Sequence, residues 1–192
     1  MKGIKLKPVD PITVIGAGLA GCEAAWQIAK RGGRVILYEM KPEAYSPAHR
    51  SPFFAELVCS NSLKSESMEN ASGVLKEEMG QLGSLILKVA KEARVPAGDS
   101  LAVDREVFSK GVTQILGDLE NVEVIRKEIS SLPQSGITII ATGPLTSDAL
   151  SQEMQKVMGA RGLFFYDAIS PIITADSIDF QKAFKSSRYG KG

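Results

Sequence analysis

The segment that most constrains this chain is an apolar strand that runs into three glycines at G-x-G-x-x-G spacing and then into an alanine-rich helix, residues 13–25. In this arrangement Gly16 makes a tight turn, and Gly18 lets the backbone come close to a pyrophosphate. Gly21 lets the helix pack closely on the strand. The start of the helix presents free N–H groups and a positive dipole end to the phosphates. The pattern predicts a βαβ unit that binds a phosphate-containing ligand.

A second strand-like run, residues 34–39, ends at Glu39. An acidic residue about 20 positions after such glycines binds ribose hydroxyls. Strand, glycines, helix, strand and acid in this order predict a site for an adenine dinucleotide. The carboxylate would repel a 2′-phosphate, which agrees with FAD. The residues that we expect to contact the cofactor in this unit are Gly16, Ala17, Gly18, Leu19, Ala20, Gly21 and Glu39.

Composition argues against several other kinds of site. The two cysteines, Cys22 and Cys59, form neither a C-x-x-C pair nor a disulfide framework, and His49 is the single histidine. A zinc site and a Ser-His-Asp hydrolase site are therefore poorly supported, and we expect no metal. Cys22, at the start of the first helix, is expected to be structural. The chemistry is then expected to belong to a bound cofactor.

Charge and hydropathy bear on the partners and the location. The net charge of +1 gives no bulk basic field of the kind that marks a nucleic-acid-binding protein, although a local basic patch remains open. No apolar run approaches the roughly 18 residues of a membrane span. Residues 1–7 lack the apolar core of a signal peptide. We therefore expect a cytoplasmic protein without a membrane segment.

The order of the elements predicts an α/β protein with a parallel central sheet, a Rossmann-like fold for FAD or NAD(P). Residues 41–72 are too apolar around 53–59 for a disordered linker and predict an ordered loop over or beside the ligand. The other predicted elements are a helix over 73–94, a strand at 101–103, a helix capped by Asp104 that ends near Gly117, an edge or half-buried strand at 122–126, a mid-sheet strand at 137–141 and a helix over 148–158.

Two domains are predicted. Residues 1–162 would form the dinucleotide-binding domain, incomplete without a C-terminal half. Residues 163–192 begin with an aromatic, strand-like run at 163–166 and would start an insertion or second domain. The architecture is therefore expected to be truncated.

The turn after the strand at 137–141 is the second candidate site. Small residues at the carboxyl end of a central strand let a ligand or another backbone come close. On this ground we expect Ala141, Thr142 and Gly143 to lie beside the dinucleotide. A plain strand-to-helix turn, with Thr146 or Ser147 capping the next helix, is the alternative.

Taken together, these residues resemble the folate/FAD-dependent tRNA (uracil-5-)-methyltransferases. The specific part of the resemblance is the segment 56–65, Glu-Leu-Val-Cys-Ser-Asn-Ser-Leu-Lys-Ser, because the glycine pattern is shared by many flavoproteins. Further matches are Pro96-Ala97-Gly98 leading to Asp104-Arg105-Glu106, Ala141-Thr142-Gly143-Pro144, Phe165-Tyr166-Asp167-Ala168 and Ser170-Pro171-Ile172. The resemblance covers essentially the whole chain.

The resemblance implies an activity and a set of partners. The family uses FAD as the carrier of a one-carbon unit, methylenetetrahydrofolate as its donor and NAD(P)H as reductant, and makes 5-methyluridine in the T-loop of tRNA. Cys59 matches the family cysteine implicated in the chemistry, so the resemblance assigns it a catalytic or uracil-contacting role. Lys64 is assigned to the cofactor side of the site and is a candidate for the charge that would lower the pKa of a nearby thiol.

Other hypotheses stay open. A cysteine on an apolar run such as residues 57–59 is more often a buried small hydrophobe than a nucleophile. An FAD- or NAD-linked oxidoreductase acting on a small molecule would use the same fold, and so would a non-catalytic nucleotide-binding fragment. Family members are roughly twice as long, a size large for a single core. The isolated chain is therefore expected to bind FAD weakly or through its adenosine half.

Overall fold

A computed structural model describes residues 10–159 and 174–184 of the chain. Its strands are β1 (Ile12–Ile15), β2 (Val35–Glu39), β3 (Ser62–Ser65), β4 (Arg94–Val95), β5 (Ser100–Val103), β6 (Val122–Arg126) and β7 (Thr138–Ile140). Its α-helices are α1 (Leu19–Lys30), α2 (Ala71–Gln81), α3 (Leu85–Glu92), α4 (Arg105–Gly117) and α5 (Asp148–Met158). Short 3₁₀ turns cover Gly143–Leu145 and Ala175–Ser177. None of the helices in these residues is long and apolar enough to cross a lipid bilayer.

The main sheet has four parallel strands in the order β6-β2-β1-β7. Apolar side chains of β1 and β2 that face the helices are fully buried, with Val14, Val35 and Leu37 at 0–1% exposure. Helix α1 crosses from β1 to β2, and α1, α3 and α4 pack together over the core. This arrangement confirms the predicted α/β, Rossmann-like fold with a parallel central sheet.

The predicted position of the strand at 137–141 is wrong for the described residues. The strand, β7, pairs with β1 on one side and forms an edge of the four-stranded sheet. Ile137 is 59% exposed and Ile140 is 38% exposed. A continuous apolar run is typical of a buried parallel strand, but it does not say on which side the strand finds a partner. The strand at 122–126, by contrast, lies at the other edge, as predicted.

A second, smaller sheet is antiparallel and has the order β3-β5-β4. The predicted strand at 101–103 exists, as β5, but belongs to this sheet instead of the parallel one. Strand β3 carries a register shift, and Lys64 within it has a φ of +68°. Just before β3, Asn61 adds a further link to β5, since its side-chain amide donates to the carbonyl oxygen of Val103 at 3.2 Å.

The single helix predicted over 73–94 is in fact two helices, α2 and α3. The break falls at Gly83, whose φ of +70° is left-handed and suits glycine. Ser84 then caps α3, because its hydroxyl accepts the N–H of Leu87 at 3.2 Å. The apolar periodicity runs through both helices, which is why it predicted one.

The other predicted helices are confirmed. Asp104 caps α4 by accepting the N–H groups of Glu106 and Val107, each at 3.0 Å. Helix α5 begins after Ser147, although the Ser147 side chain makes no cap hydrogen bond. The aromatic run at 163–166 lies outside the described residues, so the domain boundary at 162 stays a prediction.

Candidate functional site

The glycines after β1 show three different local constraints. Gly16 has a φ of +98°, and a Cβ there would stand 2.8 Å from the carbonyl oxygen of Ala141. A Cβ at Gly21 would stand 1.8 Å from the carbonyl oxygen of Gly16, so the helix touches the turn after β1 backbone to backbone. Gly18 has an ordinary φ of −72°, and the nearest atom to its Cβ would be 4.0 Å away. The fold therefore requires glycine at Gly16 and Gly21, whereas Gly18 leaves an open face.

Helix α1 begins at that open face without a side-chain cap. Its N-cap is Gly18, and its first turn contains no acidic residue. The N–H groups of a first helical turn lack partners within the helix and carry the positive end of its dipole. This helix start can therefore accept an anionic group.

Glu39, at the end of β2, is buried and 7% exposed. Its Oε2 accepts the N–H of Ala17 at 3.0 Å, and its Oε1 accepts the N–H of Lys41 at 3.0 Å. A carboxylate has about four lone-pair positions, so each oxygen keeps room for a further donor such as a ribose hydroxyl. Two backbone N–H groups of the protein itself therefore hold the carboxylate in place.

The predicted residues Gly16, Ala17, Gly18, Glu39, Ala141 and Thr142 line one cleft at the carboxyl end of the parallel strands. Ligands of open α/β sheets bind at this end. One side of the cleft is formed by the residues after β7, where the N–H of Ala141 donates to the carbonyl oxygen of Ile15 at 2.8 Å. Other residues at this cleft include Tyr38, His49, Glu56, Leu145 and the stretch 127–129.

The turn at 141–144 leads from β7 toward α5, and it lines the cleft through Ala141 and Thr142 but not through the predicted residue Gly143. Gly143 has a φ of +69°, and the hydroxyl of Thr146 donates to its carbonyl oxygen at 2.9 Å. The hydroxyls of Thr142 and Thr146 lie 2.6 Å apart. The strand-to-helix turn is therefore present, whereas contact of residues 141–143 with a dinucleotide stays a prediction.

This cleft suits an adenine dinucleotide. The open face at Gly18 and the uncapped helix start would take the pyrophosphate, and Glu39 would take ribose hydroxyls. A Cβ at Gly16 would clash with the backbone of residues 141 and 142. A Cβ at Gly18 would occupy the space that the phosphates would need.

Leu19, Ala20 and Lys64 lie elsewhere, in an apolar groove of about 780 Å³ between α1, α2 and β3. Leu63, Leu75 and Met79 form much of its lining. The two parts of the predicted cofactor set thus border two cavities on either side of the α1 start.

Cys59 is exposed, on the loop that leads into β3. The preceding part of the loop is packed into the core through Phe54, Ala55 and Leu57. Cys22 is buried, and its thiol donates to the carbonyl oxygen of Ala17 at 3.2 Å. Burial raises the pKa of the Cys22 thiol far above its usual value, and Glu39 adds to the rise. Of the two cysteines, Cys59 is the accessible one.

A group of buried charges beside the cleft was not predicted from the sequence. The ammonium of Lys41 lies 3.3 Å from Oε2 of Glu56, with side-chain exposures of 4% and 13%. Arg126 donates to the carbonyl oxygens of Lys41 and Pro52 at 3.0 and 2.9 Å. Lys41 follows β2, Glu56 lies on a loop and Arg126 ends β6, so no spacing in the sequence signals them.

His49 also faces the cleft. Its Nδ1 is hydrogen-bonded to the Ser46 hydroxyl. Partial burial lowers the pKa of His49, and the nearby Lys41 lowers it further. The imidazole is therefore held in its neutral form near pH 7.

Comparison with known proteins gives the relationship. The chain is 60% identical over 184 residues to the methylenetetrahydrofolate--tRNA-(uracil-5-)-methyltransferase TrmFO of Acetivibrio thermocellus, covering 96% of this chain and 42% of that protein. It is 58% identical over 181 residues to the enzyme of the same name from Geobacter sulfurreducens, covering 94% and 42%. The chain thus spans less than half the length of these relatives.

The fold is also that of a solved structure, GidA of Aquifex aeolicus. The TM-score is 0.55 at 15% identity, and the match covers 70% of this chain and 25% of that one. The family described as GIDA, Glucose inhibited division protein A, matches residues 11–192. The chain belongs to this family.

Proposed function

We propose that the protein transfers a one-carbon unit from methylenetetrahydrofolate to C5 of a T-loop uridine in tRNA, giving 5-methyluridine. FAD would be the carrier and NAD(P)H the reductant, in the cytoplasm. The observation that carries this proposal is an exposed cysteine on a loop that is bonded to the backbone of a dinucleotide cleft: the N–H of Ala55 donates to the carbonyl oxygen of Ala17 at 2.9 Å. The names of the relatives support it.

The chain's own residues would hold the cofactor. Gly16, Gly18 and the start of α1 would bind the pyrophosphate, and Glu39 would bind ribose. Ala141, Thr142 and Gly143 would form the adjoining wall. Leu19, Ala20 and Lys64 border the neighbouring apolar groove instead of the cleft, and their role toward the cofactor stays a prediction. FAD, when bound, supplies a redox centre that can carry the one-carbon unit.

Cys59 would act on the base. C5 of uracil is a poor nucleophile, but addition of a thiolate to C6 moves electron density to C5. After C5 has bonded to the incoming carbon, loss of the C5 proton and of the thiolate restores the ring. The carbon would also have to be released from its carrier and reduced to the methyl level, with the two electrons coming from NAD(P)H. Exposure gives Cys59 access to a substrate, which the buried Cys22 lacks.

The first test replaces Cys59 by serine in the full-length protein. We expect tRNA methylation to fall by about a hundredfold or more, the usual scale for loss of an essential nucleophile. Flavin absorbance should be unchanged, because the cleft does not use this thiol. The matched control is Cys22→Ala, which removes the buried thiol and should keep methylation.

Other outcomes discriminate between functions. Full methylation by the Cys59→Ser variant would contradict the role of the thiol. Unchanged oxidation of NAD(P)H with a small-molecule acceptor and no tRNA product would favour an oxidoreductase. A wild-type protein that ignores FAD would contradict the cofactor assignment.

A further inference from the structure

We propose that Lys41 is a positioning residue that couples nucleotide binding at Glu39 to the conformation of the loop 50–58, which leads into Cys59. The inference rests on the proposed function, since it takes the cleft to bind a dinucleotide. It adds a connection between the two halves of the site, which meet at residues with no predicted role.

Lys41 touches the cleft through its backbone. Its N–H donates to Oε1 of Glu39 at 3.0 Å, while the other carboxylate oxygen accepts the N–H of Ala17 at 3.0 Å. Any ligand that fixes the Glu39 carboxylate therefore also fixes the backbone at Ala17 and Lys41.

The same two residues touch the loop through their other groups. The ammonium of Lys41 donates to the carbonyl oxygen of Phe53 at 2.6 Å and lies 3.3 Å from Oε2 of Glu56. The carbonyl oxygen of Ala17 accepts the N–H of Ala55 at 2.9 Å. Residues 53, 55 and 56 are thus bonded to the two residues that hold the ribose-binding carboxylate.

Glu56 and Arg126 complete the connection. Oε1 of Glu56 accepts the N–H groups of Arg50 and Ser51 at 2.9 and 3.1 Å, which folds the start of the loop onto its middle. Arg126 bridges the carbonyl oxygens of Lys41 and Pro52, and its guanidinium lies 4.1 Å from the centroid of the Phe54 ring.

Burial makes this connection cooperative. With a side chain only 4% exposed, the Lys41 ammonium depends on acceptors that the loop supplies. If the loop opened while Lys41 stayed in place, a buried cation would lose its partners, which is strongly unfavourable. Closing of the loop and ordering of the Glu39 backbone are therefore favoured together.

Thermodynamic linkage turns this geometry into two reciprocal effects. The first effect is that the ligand shifts the loop toward its ordered conformation. The second is that an ordered loop increases the affinity for the ligand, and the two factors are equal. Couplings of this kind are about 5- to 150-fold. Lys41→Met keeps most of the side-chain length but removes the cation, so it should weaken both effects.

The experiment is hydrogen–deuterium exchange of the full-length protein with and without FAD. In wild type we expect FAD to slow exchange in the peptide covering 50–58 by about fivefold or more, together with the glycine loop 16–21. In Lys41→Met the glycine loop should still be protected, whereas the 50–58 peptide should not, and the FAD affinity should fall by a similar factor.

Lys110→Met is the matched control. Lys110 lies on α4, and its ammonium is paired with Glu106 of the same helix. It lies 5.5 Å from the ring of Phe53, which belongs to the loop 50–58. This variant should respond to FAD as wild type does. Glu56→Gln is a second variant, which keeps an acceptor for the Arg50 and Ser51 N–H groups, and should behave as Lys41→Met does.

Alkylation of Cys22 separates positioning from unfolding, because that buried thiol reacts only when the domain opens. The proposal is supported if Cys22 of Lys41→Met resists alkylation while FAD no longer slows exchange in the 50–58 peptide. If Lys41→Met makes Cys22 reactive, that variant has unfolded, and the test then uses the other two proteins. The proposal requires FAD to protect the 50–58 peptide in wild type and not in Glu56→Gln. Protection of 16–21 by FAD without any change at 50–58 in wild type would overturn the coupling while leaving the cofactor assignment intact. No FAD response anywhere would overturn both.

Discussion

Gly18 and Gly21 are three residues apart, yet the structure needs them for different reasons. The backbone at Gly18 is extended, with open space where a side chain would point. At Gly21 the place of a Cβ is taken by the carbonyl oxygen of Gly16. No contact among the described residues requires glycine at Gly18, which agrees with the proposed close approach of a pyrophosphate there.

This difference predicts opposite phenotypes for two alanine substitutions. Gly18→Ala should change the free energy of unfolding by less than about 0.5 kcal/mol, and should raise the Kd for FAD at least about tenfold, or ~1.4 kcal/mol. Gly21→Ala should destabilise the fold by about 3 kcal/mol or more, because a methyl group 1.8 Å from a carbonyl oxygen forces helix and strand apart. Urea unfolding and FAD titration measure the two effects.

Gly80→Ala is the control, since a Cβ there meets nothing within 4 Å. It should leave FAD binding alone and stabilise α2 by up to about 1 kcal/mol. Gly18→Ala with normal FAD affinity would contradict the placement of the pyrophosphate.

At the same scale, the sequence predicted the tight turn at Gly16 and the close packing at Gly21 because these constraints are local to one βαβ unit. The ribose contact of Glu39 stays a prediction. It could not predict Lys41, Glu56 and Arg126. Their meeting depends on β2 and β6 being neighbours, with Glu39 opposite Arg126 in the sheet register. Such pairings follow from the tertiary fold and have no fixed spacing.

Among the helices, the junction between α2 and α3 depends on a contact with α1. The Ser84 hydroxyl donates to Oε2 of Glu23 at 2.7 Å while accepting the N–H of Leu87. The same carboxylate oxygen accepts the N–H of Ile86 at 3.1 Å. Glu23, on α1, therefore helps to begin α3.

We expect Ser84→Ala to lower the free energy of unfolding by about 1–2 kcal/mol, the scale of a lost cap. Glu23→Gln should cost about 1 kcal/mol. The double variant should cost less than the sum by about 0.5 kcal/mol or more, because both act on one network. Chemical denaturation of the four proteins gives the cycle.

Asn70→Ala serves as the comparison, since Asn70 is the N-cap of α2 but makes no side-chain cap hydrogen bond. Its effect should be smaller than that of Ser84→Ala. Strict additivity of the Ser84 and Glu23 changes would mean that the two helices begin independently. The sequence did not predict this junction because Gly83 and Ser84 sit inside a continuous apolar stripe.

At the scale of the whole molecule, the cleft and the Cys59 loop are associated with different sheets. The parallel sheet carries the cleft, and the antiparallel sheet follows directly from the loop that bears Cys59. The sequence predicted the parallel sheet through its buried apolar strands and did not predict the second sheet. The reason is that β3 is polar in sequence and β4 has two residues.

The edge of β7 predicts how the 192-residue chain associates. Among residues 10–159 and 174–184, β7 has no strand partner on its outer side, and Ile137 beside it is exposed. Such an edge is a template for pairing with another chain. Ile137→Lys should therefore reduce self-association, measured by sedimentation or light scattering at equal concentration. Val107→Lys is the control, because Val107 is similarly exposed, at 54% against 59%, but lies on helix α4. Equal effects of both changes would point to general charge instead of the strand edge.

The pairing of β1 with β7 also sets an order of events during synthesis. Thr13 lies opposite Thr138, whereas Ile12 meets Val35 far earlier in the chain. A ribosome releases β1, α1 and β2 long before β7, and contacts between distant residues form late. The glycine turn therefore waits, with one flank bare, until the backbone of Ala141 arrives to close it. Until residue 141 has been synthesised, the nascent chain therefore holds only part of the cleft, and a nucleotide that needs both walls could bind only after that point.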